Sequence, residues 1–65
     1  MHFKRLTVLL EKKYGSYSAF VVQEGVPGDD LLIGNHPVDR RTAEANVHLL
    51  LGDYVDEIVF EESTT

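Results

Sequence analysis

The sequence contains no cysteine. Disulfides, thiolate metal sites and cysteine nucleophiles are therefore all excluded, and the composition fits a reducing, cytoplasmic setting. Long hydrophobic runs are also missing: the longest, Val8-Leu9-Leu10, Leu31-Leu32-Ile33 and Leu49-Leu50-Leu51, have three residues each. A membrane helix needs roughly 20 apolar residues, so no span and no targeting segment are expected. Positive charge is scarce. Six lysines and arginines face eleven aspartates and glutamates, for a net charge of −5, and no lysine or arginine follows Arg41. That balance opposes sequence-independent binding to a phosphate backbone.

What is present is a globular composition, 43% apolar and 26% charged, in 65 residues and 7.3 kDa. Residues 1–65 are expected to form a single domain without a deep cleft of its own. A core this small, with no disulfide or metal, gains about as much from burial as it loses in ordering entropy. Self-association is the usual remedy.

Phe3 to Leu10 and Tyr17 to Val22 are rich in apolar and β-branched side chains, as strands require. Tyr14-Gly15 lies between them as a hairpin tip. Pairing Lys12 with Tyr17 then sets Leu10 opposite Ala19 and Val8 opposite Val21 on one face, and Leu9 opposite Phe20 and Thr7 opposite Val22 on the other. Both faces carry large apolar side chains. One helix can cover only one of them, so Leu9, Phe20 and Val22, or else the opposite set, are expected to meet a second copy of the chain.

Val26-Pro27-Gly28-Asp29 has the chemistry of a type II turn, and Leu31-Leu32-Ile33 reads as a short strand within a loop that runs on through Gly34-Asn35-His36-Pro37. Asp39 is placed to cap a helix whose stripe is Ala43, Val47, Leu50 and Leu51, with Gly52 as a left-handed stop. Tyr54 to Glu61 alternates as a last strand. The expected fold class is α+β, a three-stranded antiparallel or mixed sheet with one helix packed on one face (ββαβ). Charge supports placing the last strand beside the first, in sheet order 2-1-3, because Glu57 and Glu61 would then lie near Lys4, Arg5 or Lys12.

No catalytic constellation emerges. His2, His36 and His48 have no pair at the i,i+4 spacing that sets two imidazoles on one helical face, so no metal and no cofactor are expected. Ser16, Ser18 and Ser63 lack a nucleophile elbow, and Gly25, Gly28 and Gly34 lack the spacing of a phosphate loop. Asp53, Asp56, Glu57, Glu61 and Glu62 form the densest like-charge group. It serves either solubility or the imitation of a row of phosphates in a basic groove, with Val47, Leu50 and Leu51 as an apolar anchor.

Two stretches resemble the small dimeric phage inhibitors of uracil-DNA glycosylase: Thr7-Val8-Leu9-Leu10 leading into the glycine-tipped hairpin, and Leu50-Leu51-Gly52-Asp53-Tyr54-Val55-Asp56-Glu57-Ile58. The resemblance implies an acidic homodimer that is not an enzyme and that acts in the host cytoplasm by occupying the target's DNA groove. Glu44, Val47, His48, Leu51, Asp53, Asp56 and Glu57 would then touch the partner protein, and Leu9, Phe20 and Val22 the second copy. Where that family carries aromatic residues on the helix, this sequence has Val47 and Leu51, and residues 25–38 are an insertion. The strand and helix order also resembles the HicB antitoxins, which implies instead a dimerisation or antitoxin-like interaction module whose acidity serves solubility.

Overall fold

The computed structural model describes residues 3–34 and 36–64. His2 and Asn35, read in the sequence as a histidine and a turn residue, lie outside the described residues. Four strands and one helix follow in the order β1 (Phe3–Lys13), β2 (Ser16–Gln23), β3 (Val26–Asp30), α1 (Arg40–Leu51) and β4 (Val55–Thr64). They build one mixed sheet in the order β3-β2-β1-β4 with the helix against one face.

The first hairpin has the register expected from its side chains, with Lys12 beside Tyr17, Leu10 beside Ala19 and Val8 beside Val21. Tyr14 (φ 53°) and Gly15 (φ 81°) are both left-handed at its tip, the conformation that matches a two-residue turn to the twist of its strands.

The sheet has four strands, not the three expected. Glu24 (φ 54°) and Gly25 (φ 78°) repeat the backbone of Tyr14-Gly15. The chain therefore reverses there, and Val26–Asp30 returns antiparallel along β2 instead of opening a type II turn. Pro27 is tolerated because β3 is an edge strand, where a missing N–H need not break a ladder. Between the pairs Val22–Pro27 and Phe20–Asp30 the register slips, so β3 is bulged. A Cβ on Gly28 would stand 3.2 Å from the Val21 carbonyl oxygen, which is why a residue without a side chain lies in the bulge.

Leu31–Ile33, expected to be a short strand, turns away from the sheet. The Asp30 carboxylate accepts the Leu32 N–H at 2.8 Å, a local bond that offers the backbone an alternative to the ladder. Leu32 is thereby folded into the core. The loop is further fixed by the Tyr17 N–H, which donates to the Pro37 carbonyl at 2.8 Å.

Asp39 caps the helix by accepting from the Thr42 N–H at 3.4 Å. At the other end Gly52 is right-handed (φ −57°, ψ −31°), not left-handed as expected. Its N–H donates to the His48 carbonyl at 2.8 Å, and a Cβ there would lie 2.5 Å from that oxygen. The glycine is required by close approach, not by the sign of φ.

β4 joins β1 in parallel, Phe3 beside Val55 through Lys12 beside Thr64. The core consists of Val8, Leu10, Tyr17 and Ala19 from the sheet, Ala43 and Val47 from the helix, and Leu32 from the loop. Leu51, Ile58 and Phe60 pack around its margin. No helix among the described residues is long and apolar enough to cross a membrane.

Candidate partner-binding surfaces

Alternation along β1 and β2 sends Leu9, Phe20 and Val22 to the side of the sheet opposite Val8, Leu10 and Ala19. There they are only half-buried. Leu9 pairs with Phe20 across the ladder, Thr7 with Val22, and Thr7 again with Val59 of β4, so these side chains form one block across three strands. The single helix lies on the other face, with Ala43 and Val47 in the core.

The seven residues singled out for a partner divide into separate groups. Val47 is fully buried and Leu51 is half-buried at the edge of the core, so Val47 cannot enter a partner's pocket while the helix stays docked. His48 packs edge-on to Phe60 with ring centroids 5.6 Å apart. Glu44 bonds Arg40 at 3.0 Å, and the same guanidinium reaches Glu62 at 3.0 Å. Glu57 bonds Arg5 at 3.2 Å. Asp53, Asp56 and Glu61 are exposed, Asp53 in the turn before β4 and the other two on opposite faces of that strand.

Two of the carboxylates that read as a row of phosphates in the sequence, Glu57 and Glu62, are thus paired with arginines, one from β1 and one from the first turn of α1. Tyr17 joins the same network, its hydroxyl donating to Glu62 at 3.0 Å. Burial, and then the hydrogen bond and charge of Glu62, push the Tyr17 phenol above its ordinary pKa, because ionising it would set a second anion against the carboxylate.

Two features were not anticipated. Leu31, Leu32, Ile33, Asn46, Leu49 and Leu50 line a shallow apolar groove of about 230 Å³ between the loop and the helix. Ile33 is 76% exposed and Leu49 82%. The signal was the Leu49-Leu50-Leu51 run itself, since at 100° per residue three successive leucines cannot all face one sheet.

The second is a serine, histidine and aspartate brought together. Ser18 Oγ lies 3.3 Å from His36 Nδ1, and Asp30 Oδ2 lies 3.4 Å from His36 Nε2. A hydrolytic base needs a bare ring nitrogen aimed at the hydroxyl. Here the Tyr17 carbonyl oxygen also stands 3.0 Å from Nδ1. A carbonyl can only accept, so Nδ1 carries a proton and donates it to that oxygen. Occupied in this way, Nδ1 cannot take the proton of Ser18. The cluster fastens the loop to β2.

Among the described residues there is no group of three or more histidine, aspartate or glutamate side chains placed to hold a metal ion. No protein-family model, no curated protein and no solved structure matches the chain.

Proposed function

We propose that the chain is a non-enzymatic interaction module of the antitoxin-like kind that works in the cytoplasm as a homodimer, with the helix-free face of the sheet as the contact between copies. The observation that carries this reading is the block of Leu9, Phe20, Val22 and Val59, which no element among the described residues covers. A contiguous apolar patch on a small, unstapled domain is removed from water by association. Arg5 and Glu57 lie at one end of this face, and Glu11, Lys13 and Glu61 toward the other. Charges of both signs at both ends let a two-fold arrangement set cations against anions.

Sedimentation equilibrium tests the reading. A dimer is expected at micromolar concentration, and Leu9→Glu should convert it to a folded monomer. A monomer for the unaltered chain at that concentration overturns it.

A second reading, inhibition of uracil-DNA glycosylase by imitation of DNA, is favoured by one observation: Asp53 and Glu61 are exposed and have no cationic partner among the described residues. With Val47 enclosed, the apolar anchor of such an inhibitor passes to Ile33, Leu49 and Leu50. Uracil excision that is inhibited in low salt, and restored by added salt, would support it. Full glycosylase activity at a large molar excess of the protein removes it.

A further inference from the structure

Among the described residues β4 ends the sheet, bonded to β1 on one side only. The Phe3 N–H donates to the Tyr54 carbonyl at 2.6 Å while Phe3 stands beside Val55. A parallel ladder alternates from there, so Val55, Glu57, Val59, Glu61 and Ser63 turn their main-chain N–H and C=O groups outward. The opposite edge of the sheet is a poorer template, being five residues long, bulged and interrupted by Pro27. The ten residues of β4 contain no proline.

Charge along this edge is symmetrical about Val59: Asp56-Glu57 precede Ile58-Val59-Phe60, and Glu61-Glu62 follow. An antiparallel second copy centred on Val59 would set Glu57 against Glu61 and Asp56 against Glu62, every carboxylate opposite a carboxylate. Like charges directly opposite are destabilising, so the edge rejects its own kind. The inner edge shows what β4 accepts. Arg5 of β1 stands beside Glu57 and meets it at 3.2 Å, while the apolar Leu9 and Leu10 stand beside Glu61 and Glu62.

We infer that the outer edge of β4 is a docking site for an extended cationic segment of a partner protein, which adds as a fifth strand with basic residues on both sides of a short β-branched centre. Main-chain bonds to the outward groups would supply affinity, and the net negative charge at residues 56–57 and 61–62, which Arg5 and Arg40 offset only in part, would select the sign of charge. The inference rests on the reading of the chain as a binding protein but not on the back-face dimer, because the edge and that face are different surfaces.

The probe is a capped peptide, Lys-Arg-Val-Thr-Val-Arg-Lys, titrated into the ¹⁵N-labelled full chain in low salt. Saturation should slow hydrogen exchange at the Glu57, Val59 and Glu61 amides at least tenfold. Val59→Pro, which deletes one outward N–H, should weaken binding at least tenfold. N-methylation of the central peptide bonds should do the same with the unaltered protein, so the test survives if Val59→Pro does not fold. A peptide with glutamate in place of each basic residue should not bind. The inference is overturned if the peptide fails to bind at millimolar concentration, if it binds without protecting those amides, or if N-methylation leaves its affinity unchanged. Sedimentation of the same samples reports the dimer separately, so failure of one proposal is distinguishable from failure of the other.

Discussion

The two faces of this sheet are built from the same strands with similar side chains and reach different ends. On the helix side Val8, Leu10 and Ala19 are completely withdrawn from water beneath Ala43 and Val47. On the other side Leu9, Phe20 and Val22, their immediate neighbours in sequence, stay half-exposed, and Val59 is 36% exposed. Hydrophobicity does not separate the two sets. Position relative to the one helix does, and that helix can cover a single face. A side chain's contribution to stability therefore depends on its parity along the strand.

The largest test of this contrast is Leu10→Ala. It removes a fully buried side chain and should cost about 2–5 kcal/mol in denaturant unfolding. Leu9→Ala is its partner experiment. In dilute, monomeric protein it should cost under about 1.5 kcal/mol, because the removed atoms are already partly hydrated. At dimer-forming concentration the cost should grow, since association adds to apparent stability. Equal losses at Leu9 and Leu10 at every concentration would break the comparison.

Asp39→Ala probes the lid instead of the layer beneath it. Loss of the cap should cost about 1 kcal/mol, and its effect on the back face should be confined to global unfolding. Tyr17→Phe sharpens the contrast by pH. The folded phenol has a raised pKa, so its stabilising contribution is complete below pH 10, the ordinary phenol value, and is lost as pH rises through the raised one. Stability of the unaltered protein should thus fall more steeply above pH 10 than that of Tyr17→Phe. The smallest effect belongs to Glu57→Gln. Its pair with Arg5 is exposed on both sides, and its loss should cost under about 1 kcal/mol and vanish at high salt.

Local patterns in the chain were legible where neighbours in sequence decide the outcome. The hairpin register follows from Tyr14-Gly15 and from the apolar periods on either side. The helix follows from Asp39 and the Ala43–Val47 stripe. β3 was hidden because Pro27-Gly28 carries the same residues as a turn, and because Glu24 is an uncommon occupant of the left-handed region. Gly52 was assigned the usual role of a helix-ending glycine, whereas here the constraint is the distance to the His48 carbonyl. The surfaces were harder still. The pairing of Arg40 with Glu62 joins residues 22 apart, and Ser18 meets His36 only after the loop has folded back. Periodicity placed Val47 on the apolar stripe correctly, but Leu50, assigned to the same stripe, is 49% exposed, and Leu49 is 82% exposed.

The parallel contact of β4 with β1 also has a kinetic consequence. β1, β2 and β3 are joined by two-residue reversals, so their pairings close small loops and can form within microseconds. Arg5 and Glu57, by contrast, are 52 residues apart, and such a contact forms only after most of the chain has been gathered. Until then the inner edge of β1 is bare and Phe60 has nothing to pack against. The meander and the helix thus supply a template that waits for its last strand.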